Sequence, residues 1–130
     1  MADSLVTLSN PRGNLVFRET AATATIEQNI FNKTAPTVFA VKVDATANTN
    51  EDVYLALYEE TAANGANITV GTTHPITVIR CRAGKTIEVL MPYGLGISNS
   101  KYLHAAVKTS AGTAGNTSPS GTVAITILGE

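Results

Sequence analysis

The sequence predicts an all-β protein, an antiparallel β-sandwich (jelly-roll or Ig-like) that carries an extended N-terminal arm. Three observations predict it. Apolar and polar residues alternate at period two in run after run. No segment sustains an apolar i, i+3, i+4, i+7 pattern over three turns. Connectors rich in Gly, Asn, Thr and Ser separate the runs at spacings that a sandwich uses. At 130 residues the chain has the size of one domain with its own core.

The first 36 residues read differently from the rest. Leu5, Val6 and Leu8 form one apolar run, and Leu15, Val16 and Phe17 a second. Asn10-Pro11-Arg12-Gly13 between them is a turn signal. Thr20–Thr25 is Ala- and Thr-rich with no strong face, and Ile26, Ile30 and Phe31 follow. The expectation is an arm or hairpin over residues 1–36 and a sandwich domain over 37–130. The arm's apolar side chains must cover their own core, as added strands of the same domain, or dock on a neighbouring chain.

The sandwich strands follow in order. Thr37–Ala45 places Phe39, Val41, Val43 and Ala45 on one face, with Lys42 and Asp44 on the other. Asn50–Ala63 has a helix-like composition. Val53, Leu55 and Leu57 nonetheless alternate with Tyr54, Ala56 and Tyr58, so it reads as a strand. Ile76, Val78, Ile79 and Cys81 mark another strand, whose shift in parity predicts a bulge. Ala83-Gly84-Lys85 is a short turn, and Thr77–Met91 reads as a hairpin around it. Ile87, Val89 and Met91 form the inner face of its second strand. Leu103, Ala105 and Val107, then Val123, Ile125 and Ile127, mark the last two. Ser110–Ser120 reads as an exposed, mobile loop.

Charge narrows the function. Only 15% of residues are charged, against the usual quarter or so, and the net charge is -1. The nine Lys and Arg are scattered, so no basic stripe points to nucleic acid. No apolar run is long enough to span a membrane as a helix. The N-terminus lacks the pattern of a signal peptide, and Cys81 is the only cysteine, so production in a cytoplasm is expected. A weakly charged polar surface suits a protein that packs against other protein.

Catalytic constellations are missing from the pattern. His74 and His104 are the only histidines, too few with one cysteine for a Cys/His zinc site, so no metal and no cofactor is expected. Cys81 lies among apolar in-phase neighbours and reads as a buried small hydrophobe. The pairs Glu51-Asp52 and Glu59-Glu60 cannot act as carboxylate dyads, because adjacent strand residues point to opposite faces. They read as solvated strand ends. Sequons at Asn32, Asn67 and Asn116 are what a chain rich in Asn, Ser and Thr produces by chance. Tyr54 and Tyr58 share a face about 13 Å apart. That pair is either a platform for a sugar or, more in keeping with such positions, a packing face for a partner.

From Thr37 to Ile127 the segment order is distinctive: TVFAVKVDATAN, VYLALYEE, a loop ending GTTHP, ITVIRCRAGKTIEVLMPYGLGIS, KYLHAAVKTSAG and GTVAITI. This order resembles that of small virion proteins of tailed bacteriophages, capsid decoration (cement) or head-tail accessory proteins, over roughly 90 residues. The resemblance implies a β-sandwich without catalytic residues, which binds the major capsid protein and copies of itself as a trimer or dimer. Leu5, Val6, Leu8, Val16, Phe17, Tyr54 and Tyr58 are then the expected interface residues. The alternative is a tail- or fibre-associated module that binds a host glycan.

Overall fold

The computed structural model describes residues 15–130. Seven strands form the body: β1 Leu15–Glu19, β2 Thr37–Asp44, β3 Val53–Glu60, β4 Thr77–Cys81, β5 Thr86–Gly96, β6 Tyr102–Lys108 and β7 Ala124–Gly129. Among the described residues there is no helix. The strands make two antiparallel sheets, one of order β1-β7-β2-β5 and one of order β4-β3-β6, stacked as a sandwich.

Period two explains the packing. Val41 and Val43 of β2, Ile125 and Ile127 of β7, and Ile87 and Val89 of β5 turn inward from the larger sheet. They meet Val53, Leu55 and Leu57 of β3, Ile79 and Cys81 of β4, and Leu103, Ala105 and Val107 of β6. Most of these side chains are fully buried. Each large aliphatic contributes about 1.5–3 kcal/mol by leaving water.

The smaller sheet is covered on both faces. On its outer side Ala56, Tyr58, Ala106 and Ile68 form a second apolar cluster, joined by Ile26, Val70 and Val78. This accounts for the parity of β4. Val78 is apolar because it faces the second cluster, while Ile79 faces the first. β4 pairs with β3 without a register break from Leu57↔Thr77 to Val53↔Cys81, so the expected bulge is absent there. The irregularity lies instead in β2, between Val38 and Ala40. Phe39 is an extra residue opposite β7, while on the other side β5 makes a longer excursion of its own, from Met91 to Gly94. Gly94 has φ 81, and a Cβ on it would collide with the Thr37 side chain and touch the Phe39 ring, so glycine is required.

The expected hairpin around Ala83-Gly84-Lys85 is also corrected. β4 pairs only with β3, and β5 only with β2, so the turn arches from one sheet to the other. Gly84 at φ 71 makes the bend, and its N–H donates to Asn48 O at 2.9 Å. Asn48 is wholly buried and ties two further loops, through Glu51 O and the Gly121 N–H.

Of the expected arm, Leu15–Glu19 is an edge strand on β7, in register from Leu15↔Gly129 to Glu19↔Ile125. Residues 22–35 then run as a strap along β6. Backbone bonds link Val107 N to Thr23 O, Glu27 with Ala105 in both directions, Ile30 N to Leu103 O, and Ala35 N to Lys101 O. The strap closes one side of the sandwich. On the other side the short arch after Cys81 carries the chain from β4 to β5.

Candidate functional site

The two outer faces of the sandwich differ. The smaller sheet is roofed by the strap and by the loop carrying Ile68. The larger sheet presents a cross-strand row, Val16–Leu128–Ala40–Leu90, in direct register over all four strands. Its middle members, Leu128 and Ala40, are buried, whereas Val16 is 45% and Leu90 68% exposed at the two ends. Beside it runs a polar row, Arg18–Thr126–Lys42–Glu88. At the tip of the β5 excursion Tyr93 is 97% exposed. The exposed apolar ends of the row, Val16 and Leu90, thus lie at opposite edges of the sheet.

The expected interface residues divide. Val16 points outward and belongs to the row. Phe17 points inward and packs on the inter-sheet core, so it is removed from the surface. Tyr54 and Tyr58 do share a face, but Tyr58 is fully buried in the second cluster and Tyr54 half-buried between Arg80 and Lys108. A two-ring sugar platform is therefore not present. Leu5, Val6 and Leu8 lie outside the described residues. The surface residues that pattern reading missed are Arg18, Glu88, Leu90 and Tyr93. Leu90 carried the signal: it is an apolar side chain out of phase with Ile87, Val89 and Met91.

The four paired carboxylates are not idle strand ends. Glu51 accepts from the Ser120 N–H and hydroxyl. Asp52 accepts the Ala83 N–H and the Arg80 guanidinium, which together hold its pKa below the usual value. Glu59 accepts the Ser98 N–H and hydroxyl, with Lys101 nearby, and is likewise lowered. Glu60 accepts the Ala62 N–H and the Asn67 amide, again with a lowered pKa. Each staples a loop to the end of β3.

Two buried cations or bases do similar work. Lys108 has no exposed surface, and its Nζ donates to the carbonyls of Gly112, Thr113 and Ala114 at 2.8–3.0 Å. Burial lowers its pKa. The loop after β6, expected to be mobile, is thus folded around an ammonium, and Ser118 Oγ further accepts the Ala24 N–H of the strap. His104 is on the face opposite the inter-sheet core, as expected, yet it is completely buried. Its Nδ1 accepts the Asn29 N–H at 3.1 Å, so the neutral ring carries its proton on Nε2. Burial depresses its pKa, against the opposing pull of the Glu60 charge.

Arg80, Arg82, Lys85, Thr86 and Ile87 surround a shallow cavity of about 290 Å³ at the β4–β5 arch, with Cys81 at its base. The thiol is buried, its pKa is raised chiefly by burial, and its sulfur donates toward Lys85 O at 3.2 Å. A thiol held protonated in this way is a poor nucleophile. His74 is remote from it and bonded to Thr113 Oγ1 at 2.8 Å. Among the described residues no three His, Cys, Asp or Glu side chains gather as metal ligands. No family model, no curated protein and no solved structure matches the chain.

Proposed function

We propose that this protein is a structural virion component of a tailed bacteriophage, a decoration or cement protein that bridges major capsid subunits. The observation that carries the reading is the larger sheet's outer face, with an apolar row open at both edges in a chain of low charge. The resemblance of the segment order from Thr37 to Ile127 supplies the virion setting. A subunit that binds the assembled shell and not loose subunits adds its binding energy to the shell's stability. Several weak footprints on one oligomer add avidity.

The test is co-sedimentation with expanded capsids stripped of accessory proteins, followed by heating. Saturable binding and a shell that opens at higher temperature are expected. No binding, or binding without a shift, overturns the reading. Removal of Met1–Asn14 is expected to abolish capsid binding while the sandwich stays folded. The cut must precede Leu15, because β1 is part of the sheet. The glycan-binding alternative retains one exposed ring, Tyr93. A glycan array without hits would remove it.

A further inference from the structure

We propose that copies of this chain associate head to tail, the β5 edge of one pairing with the β1 edge of the next to continue the larger sheet. The inference deepens the assembly reading above and rests on it for its biological setting. Its geometry comes from the sheet alone.

Among the described residues nothing pairs with the outer edges of β1 and β5, and the backbone decides which residues face each of them. Ala45 N donates to Lys85 O at 2.8 Å, so in this ladder the odd-numbered β5 residues turn toward β2. Glu88 and Leu90 therefore turn their N–H and C=O groups toward the free edge. At the other side Thr37 and Glu130 exchange both backbone bonds, at 2.9 and 3.0 Å. Leu128 and Thr126 then face β2, Ile127 and Gly129 face β1, and Val16 and Arg18 face outward from the sheet. The two edges thus display the same pattern of donors and acceptors. Strand direction alternates from β1 to β5, so β5 beside a second copy's β1 is again antiparallel.

One register matches both outer rows, and its one mismatch sets Ile87 opposite Glu19 on the inner face. With Leu90 opposite the partner's Val16, both outer apolar residues meet. Glu88 then falls opposite Arg18, an oppositely charged pair in a directly facing position. On the inner face Val89 meets Phe17 and Met91 meets Leu15, all apolar and all half-buried in the single chain. The competing two-fold arrangement, β5 against β5 centred on Leu90, sets Glu88 opposite Pro92 and leaves the charge unmatched. Charge and apolarity together select the head-to-tail contact. Such a contact closes into a ring or runs on as a filament, according to the rotation between copies.

Light scattering on the full chain over a range of concentrations tests the interface without any capsid. Assembly above the monomer is expected. Glu88→Arg or Arg18→Glu alone should weaken it about tenfold, and the double exchange should restore it. Val16→Pro and Leu90→Pro each delete an edge-facing N–H, which an edge strand tolerates. Each should be monomeric alone, and a mixture of the two should form a one-to-one heterodimer and stop there. Far-ultraviolet circular dichroism checks that each variant is folded. A wild-type chain that stays monomeric, a double exchange without recovery, or a Val16→Pro variant that dimerises by itself overturns the proposal. These outcomes are independent of capsid binding, so failure here and failure of the virion reading are separable.

Discussion

Tyr58 and His104 lie directly opposite each other on β3 and β6, both fully buried, and each holds a polar atom without a hydrogen-bond partner. The atoms are the Tyr58 hydroxyl and His104 Nε2, and Asn29 Oδ1 in the strap shares their condition. A buried polar group left unpaired costs about 1–3 kcal/mol. Tyr58→Phe removes the hydroxyl and keeps the ring that packs with Ile68 and Ala106. It is expected to leave stability unchanged or raise it by up to about 1 kcal/mol. Urea unfolding followed by circular dichroism reads the difference, and a loss above that size would show that the hydroxyl has a partner.

The same pair sets a pH dependence. The folded state holds the His104 pKa below that of the unfolded chain, so the unfolded state binds protons more readily. Stability should therefore fall as the pH drops through and below the ordinary histidine value of about 6.5. Glu27 on the strap works in the opposite sense. Burial and the Glu19 carboxylate raise its pKa, so its contribution is present at low pH and lost as pH rises through the folded value. His104→Gln should flatten the melting-temperature profile between about pH 7 and 5. A wild-type profile already flat there would refute the assignment.

Lys108 makes a second prediction. Replacing it with Met removes the donor shared by three carbonyls and frees the loop after β6. A loss of about 1–3 kcal/mol is expected. Hydrogen exchange should accelerate at residues 112–117 and at Ala24, whose partner Ser118 sits on that loop. Unchanged exchange would mean that the loop is held by other contacts.

Gly129 tolerates no side chain. A Cβ there would strike the Thr37 carbonyl and lie 2.5 Å from the Phe31 ring. Gly129→Ala should cost about 1–3 kcal/mol, because the obstacle is backbone in a paired strand. Thermal unfolding checks it.

Cys81 is expected to resist a disulfide reagent in the native state and react within seconds in denaturant. Its exposure of only 1% and its raised pKa both oppose the thiolate. Rapid native labelling would place the thiol in the arch cavity's solvent.

Most strands could be read from alternation, because a half-buried sheet imposes period two on the residues that form it. Val53, Leu55 and Leu57 are the clear case, where a helix-like composition gave way to the pattern. Pairing was harder to read. Ala83-Gly84-Lys85 bends the chain equally well between paired strands and between stacked sheets, and only β3 and β2, far away in sequence, decide which. Covering the smaller sheet on both sides made Val78 and Ile79 both apolar, and a bulge gives the same pattern. The strap shows no regular alternation because it meets β6 through scattered backbone bonds, while its apolar side chains divide between two clusters, Ala22, Ile30 and Phe31 in one and Ile26 in the other. The surface was the least legible part. Tyr58 was hidden by a loop whose path no local pattern specifies, and Leu90 mattered only once three other strands set its row.

The pairing of β1 with β7 has a consequence for the growing polypeptide. β1 has no place to lie until β7, Ala124–Gly129, has been made, and the strap likewise waits for β6. A ribosome must therefore extrude Ala124–Gly129 before β1 can settle. Folding depends on contacts distant in sequence and belongs to the slow regime of such topologies. During that interval the inner residues Leu15 and Phe17 stay exposed, and a nascent chain meets its neighbours with β1 still unclaimed.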